Sequence, residues 1–78
     1  TIQVYPNPSA EVVYFNSFKE EISTIALYDI LGQRVANESP NSQKGRINVS
    51  ELPNGIYIAN ISMKNSSKTK SIKLFVEH

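Results

Sequence analysis

In the segment IYIANISMK (residues 56–64), Tyr57, Ala59, Ile61 and Met63 fall on one side of an extended chain, while Asn60, Ser62 and Lys64 share the other with Ile58. A repeat of two with one mostly polar side is what an antiparallel strand buried on one face requires. The repeat recurs in ISTIALYD (residues 22–29), where Ile25 and Leu27 oppose Ala26 and Tyr28, and in KSIKLFVEH (residues 70–78), where Ile72, Leu74 and Val76 alternate with Lys73, Phe75 and Glu77. Helix signals are weak by comparison. FKEEIS (residues 18–23) is the one window rich in helix formers; it is too short to stand alone and runs into a β-branched segment.

Extended runs of this kind recur at short spacing, separated by Pro, Gly, Asn and Ser, and predict seven strands. They are expected near Ile2–Tyr5, Val12–Asn16, Ile22–Asp29, Gln33–Glu38, Arg46–Val49, Ile56–Lys64 and Thr69–Glu77. Seven short antiparallel strands joined by tight turns predict an all-β, immunoglobulin-like sandwich, with two sheets packed on their apolar faces. In DILGQR, Gly32 supplies the freedom to adopt positive φ between two strands. In ELPNGIY, Pro53 pre-sets φ and Asn54-Gly55 is expected to close a turn. Tyr57 then begins a long strand where such sandwiches place a tyrosine whose hydroxyl bonds back to upstream backbone. The polar run from Asn37 to Arg46 reads as a loop crossing between sheets, and KNSSKTK as the turn before the last strand.

The 78 residues fit one domain, residues 1–78, with a thin core: folding at this size buries only about 60–65% of the unfolded surface. The core candidates are Ile25, Leu27, Tyr57, Ile61, Ile72 and Leu74. Without cysteine there is no disulfide and no thiolate metal site. A formal charge of +1 gives no basic face for nucleic acid. No apolar run approaches the roughly 20 residues of a helical membrane span, so no membrane insertion is expected. No leader opens the chain, so a precursor bound for export would carry one upstream.

Catalytic chemistry finds little to build on. The single histidine, His78, is the last residue, where backbone is expected to fray, and it has no nucleophile and acid arranged around it. The acids Glu11, Glu20, Glu21, Asp29, Glu38, Glu51 and Glu77 form neither a facing pair for glycoside hydrolysis nor a calcium loop. Asp29 is better read as a turn acid capping its own hairpin. The chain is therefore expected to be no enzyme and to need no metal or cofactor. From residue chemistry alone the most plausible site is a glycan-binding aromatic platform drawn from Tyr5, Tyr14, Phe15, Phe18, Tyr28 and Phe75, with Phe75 the best candidate.

Four stretches in order carry more. YPNPS (residues 5–9), ALYDILGQRV (26–35), INVSELPNGIYIANI (47–61) and KSIKLFV (70–76) together resemble the C-terminal sorting domain of the type IX secretion system of Bacteroidetes. The resemblance runs from Val4 to Val76. The family pattern falls on Tyr5, Pro6, Asn7 and Pro8, on Tyr28, Asp29, Gly32 and Val35, on Leu52, Pro53, Gly55 and Tyr57, and on Lys73. Family members commonly end just after the last apolar strand position, whereas here Glu77 and His78 follow. The resemblance implies a monomeric sorting domain at the C-terminus of a larger precursor, which reaches the periplasm by the general secretory route. An outer-membrane translocon would recognise the folded domain. A sortase-like surface peptidase commonly removes it, leaving the N-terminal cargo secreted or anchored at the cell surface. YPNPS would mark where the cargo's linker meets the domain, or form only a tight turn between the first two strands; proline pushes the residue before it toward extended backbone in either case. The alternatives are a carbohydrate-binding module of a secreted enzyme, which needs an exposed aromatic strip, and a structural immunoglobulin-like spacer.

Overall fold

The computed structural model describes residues 2–7, 10–67 and 69–78. Among these there is no helix, and seven strands account for the regular structure: β1 (Ile2–Tyr5), β2 (Val12–Ser17), β3 (Ile22–Tyr28), β4 (Arg34–Glu38), β5 (Lys44–Asn48), β6 (Gly55–Met63) and β7 (Thr69–Val76). All seven predicted strands are present; the largest displacement is in β5, which begins two residues before the expected Arg46 and ends one before Val49. They form a three-stranded sheet ordered β1-β2-β5 and a four-stranded sheet ordered β4-β3-β6-β7, with every pairing antiparallel. The chain passes from the second sheet back to the first between β4 and β5, as the polar run predicts, although strands claim both ends of that run and leave 39–43 to cross.

The core lies between the sheets. Val13, Phe15, Ile47 and Val49 come from the three-stranded side, and Ile22, Ile25, Leu27, Tyr57, Ala59, Ile61, Leu74 and Val76 from the other. Five of the six predicted core residues are buried, and Ile72 is half-buried against them. Each large aliphatic side chain so buried contributes about 1.5–3 kcal/mol relative to exposure. Simple alternation cannot bury both Ile22 and Ile25, which are three apart. A bulge resolves this: Ile22 pairs with Met63 and Thr24 with Ser62, so β3 holds one extra residue there and its side-chain phase shifts. A second irregularity sits where Leu27 pairs with Ala36 and Tyr28 with Arg34.

The crossing segment presses tightly on the sandwich at Gly45. A Cβ there would stand 2.9 Å from Pro40 Cγ and 3.0 Å from Ile25 Cδ1, so the position accepts nothing larger than hydrogen without movement. Gly55 is the opposite case. It opens β6 opposite Val76, is not in the left-handed region, and has open space where a Cβ would go. Gly55 follows Asn54 at the end of the β5–β6 connection as the first residue of β6, in a conformation that does not call on glycine's freedom.

Antiparallel order sorts the connections between two ends of a body measuring 33 × 22 × 17 Å. At one end Ile2 pairs with Ser17, Ser17 N–H donates to Gln43 O, and Ile22 bridges Ser42. At the other end lie the β1–β2, β3–β4 and β5–β6 connections and the end of β7. Any chain preceding Ile2 thus enters at the end remote from the last residues of β7.

Candidate functional site

The family-motif positions with described structure gather at that second end. Tyr5 ends β1, and Pro6 and Asn7 follow it rather than preceding the first strand. Pro6 and Asn7 therefore lie at the end of the sandwich opposite Ile2, remote from where preceding chain would join. The Tyr5–Pro6 peptide is cis. The Asn7 carboxamide reaches across to the outer edge of β7: its Oδ1 accepts from Phe75 N–H at 3.0 Å and its Nδ2 donates to Lys73 O at 3.4 Å. A carboxamide has the donor and acceptor of a peptide group, so Asn7 pairs with the edge strand as a short piece of strand would. Pro8, with Ser9, lies outside the described residues.

The β3–β4 turn is built around Asp29. Its Oδ1 accepts from Leu31 N–H and Gln33 N–H, both at 2.9 Å, while the backbone bonds Asp29 N–H to Gln33 O and Gly32 N–H to Asp29 O at 3.0 Å. Gly32 takes φ +83°, a conformation that costs glycine little. Both roles are the ones the sequence predicts. The two residues at the tip, Ile30 and Leu31, are 78% and 79% exposed.

The β5–β6 connection ties the other pieces together. Val49 N–H donates to Glu11 O at 2.7 Å, linking it to the β1–β2 connection. Asn48 Oδ1 accepts from Ser50 N–H at 2.8 Å and from Ser50 Oγ at 2.7 Å. The buried Tyr57 donates its hydroxyl proton to Pro53 O at 2.7 Å, the tyrosine corner expected from the spacing. Leu52 is half-buried against the core. His78 does not fray: its N–H donates to Asn54 Oδ1 at 3.0 Å, and its Nε2–H to Leu52 O at 2.7 Å.

Lys73 projects from the outer face of the four-stranded sheet, exposed and without an ion pair among the described residues. Register places it beside Ile58, which faces Tyr28 and then Arg34. One row along, Phe75 faces Ile56. Sequence reasoning missed Ile30, Leu31, Ile56 and Arg34 as surface features. Only the tip pair left a signal, two large apolar residues inside a turn.

The aromatic residues do not make a strip. Phe15 is buried, and Tyr28 and Phe75 share the outer face of the four-stranded sheet but are separated there by Ile58 and Ile56. Tyr5 and Tyr14 stack on each other across β1 and β2, ring centroids 5.6 Å apart, on the outer face of the other sheet. Phe18 stands beyond the end of β2. Shallow hollows beside Tyr14 are lined by Lys44, Gly45 and Arg46 on one flank and by Pro6, Ala10, Glu11 and Val12 on another. Among the described residues no cluster of three His, Asp or Glu stands ready to hold a metal.

A family model described as a secretion system C-terminal sorting domain matches residues 3–77. No curated protein sequence matches the chain. Among solved structures the chain is similar to PorZ of Porphyromonas gingivalis, described as an essential bacterial surface component of the type IX secretion system, with a TM-score of 0.80 and 19% identity. The likeness covers 99% of this chain and 11% of that protein, so the chain spans about a tenth of its length.

Proposed function

The chain belongs to the family of secretion system C-terminal sorting domains, the sorting signals of type IX secretion, and from that membership we propose that it is read as a folded surface at one end of the sandwich. In this reading the domain forms the C-terminus, residues 1–78, of a larger precursor and works as a monomer without catalysis of its own. The cargo precedes Ile2. The precursor crosses the periplasm, the outer-membrane translocon binds the domain, and a sortase-like peptidase then separates it from cargo that is exported to the surface or secreted.

One observation supports this most: the motif residues Asn7, Asp29, Gly32, Leu52, Gly55 and Tyr57 meet at the end remote from the start of β1, with Lys73 beside them. Cargo joined ahead of β1 leaves that end open to a partner. Asn7, Asp29 and Tyr57 shape it, and Lys73 offers it an unpaired charge. The scatter of aromatics among both faces and the far end removes the continuous strip that a carbohydrate-binding module needs.

The test fuses the chain to the C-terminus of a neutral reporter with a secretory leader, in a host with a type IX system. Reporter in the medium or on the surface is compared with reporter held in the periplasm. The fusion is expected outside and the reporter alone inside. Lys73→Ala, on the exposed face, should leave stability within about 0.5 kcal/mol and lower export. Export no better than that of the reporter alone would end the sorting reading.

A further inference from the structure

A turn that only reverses the chain has no use for two aliphatic side chains at its tip. The β3–β4 turn nevertheless holds Ile30 and Leu31 in water, 78% and 79% exposed, on a backbone fixed by the Asp29 carboxylate and by Gly32. Single exposed apolar residues are ordinary; contiguous groups mark interaction sites. Here the tip pair stands one residue, Asp29, beyond Tyr28, the last residue of β3, whose side chain belongs to the outer face of the four-stranded sheet. That face continues the apolar surface through Ile58 to Ile56 and Phe75, the last two about two-fifths exposed.

The same face carries two cations, with one carboxylate, Glu77, two positions past Phe75 beyond the end of β7. Arg34 pairs in register with Tyr28, and Lys73 with Ile58. The next row inward reads Ser71, Asn60, Ala26 and Asn37 and the next row outward Phe75 and Ile56, so no carboxylate stands in the strand rows flanking the two cations, and neither has an ion pair among the described residues.

We propose that this surface docks a protein partner offering an apolar cleft with carboxylates at its rim: Ile30 and Leu31 enter the cleft while Arg34 and Lys73 pair with the rim. The inference rests on the sorting reading, since it names the chemistry that the exporting machinery presents to the domain. Charge complementarity selects the occupant. A second copy of this chain would meet the two cations with its own two cations and only the single carboxylate of Glu77 if the two faces met. Chain ahead of Ile2 enters at the remote end of a 33 Å body. A lipid surface is disfavoured because two cations are few beside the clusters of roughly four to eight that hold proteins on anionic leaflets. Pre-setting the tip spares the partner the ordering cost of a loose loop.

Reporter fusions in the type IX host test this. Ile30→Ser with Leu31→Ser should lower export at least tenfold while the purified domain melts as the parent does, because both side chains already face water. Arg34→Glu with Lys73→Glu should do the same, and Arg34→Lys with Lys73→Arg should retain export. A photo-crosslinking residue at position 31 should give a discrete protein adduct that is lost in the Lys73→Glu background and absent when the probe sits at Ser39, at the remote end. If the parent fusion stays in the periplasm, the sorting reading itself fails. If the parent is exported and the tip variant equally so, the sorting reading stands and the docking inference is wrong. Binding of the purified domain to phosphatidylethanolamine–phosphatidylglycerol vesicles that depends on Ile30 and Leu31 would also overturn it, in favour of a membrane. Should the tip variant melt lower than the parent, the charge-reversal pair and the crosslink decide the matter on a fold left intact.

Discussion

Replacing Asn7 by Ala removes two hydrogen bonds from the outer edge of β7 and nothing from the core. The bond from Phe75 N–H, at 3.0 Å, is well formed, and the one to Lys73 O, at 3.4 Å, is long. A good intramolecular hydrogen bond contributes about 0.5–1.5 kcal/mol net, because water replaces the lost partner at an exposed edge. The long bond contributes less, so the pair is expected to cost about 1 kcal/mol together. For a domain of this size that corresponds to a fall in Tm of about 4–8 °C. Asn7→Asp should fall between the two, since its carboxylate still accepts from Phe75 N–H but has no proton to give Lys73 O. Thermal melts followed by circular dichroism read the stability, and amide hydrogen exchange reads the place: the Phe75 amide should exchange faster in Asn7→Ala, whereas the Leu74 amide, on the β6-facing side, should change no more than global stability does. A variant that melts within a degree of the parent with Phe75 exchange unaltered would show that the carboxamide does not hold the edge strand.

Tyr57→Phe deletes the hydroxyl that reaches Pro53 O and should cost about 1 kcal/mol, measured as a lower urea midpoint with an unchanged slope. Gly45→Ala drives a methyl group against Pro40 and Ile25 and should cost about 1–3 kcal/mol, whereas Gly55→Ala meets open space and should shift stability by less than about 0.5 kcal/mol; equal melting of the two variants would refute the contrast. Leu27→Ala or Ile61→Ala, both fully buried, should cost about 2–5 kcal/mol. That approaches the whole stability of a small domain, so a melting curve close to the parent's would contradict the facing of β3 and β6.

The sandwich was legible because its physics is local. Period-two alternation in β3, β6 and β7, the Asp29–Gly32 turn and the Pro53–Tyr57 spacing each depend on residues a few positions apart, and all of them hold. What alternation alone misplaces depends on contacts distant in sequence. Ile22 is buried through a bulge set by its pairing with Met63 on β6. Gly45 is required by Pro40 and Ile25, and no nearby residue announces that. His78 is held by Asn54 and Leu52, which a rule about fraying termini cannot see. Phe15 falls in the core and Tyr14 outside it because neighbours on β2 point to opposite faces and only one face of that sheet packs on the other sheet. The site was legible as a set of motifs and illegible as a place, since only the antiparallel topology brings residues 7, 29, 53 and 73 to one end.

That topology also separates two kinds of motif position. Asn7, Asp29, Gly32, Leu52 and Tyr57 each have a task in folding that the structure displays: an edge bond, a turn bond, a left-handed backbone, a core contact, a corner bond. Lys73 and Gly55 have none. Lys73 is exposed without an ion-pair partner, and Gly55 is neither left-handed nor crowded. A family pattern that only preserved a sandwich would have no reason to fall on an exposed lysine or on a glycine that alanine can replace. Both positions lie at the end shaped by the other five, Lys73 directly beside Ile58 and Gly55 one residue before Ile56. The folding residues therefore hold a surface in place, and under the proposed sorting function Lys73 and Gly55 are the positions on it that a partner would touch.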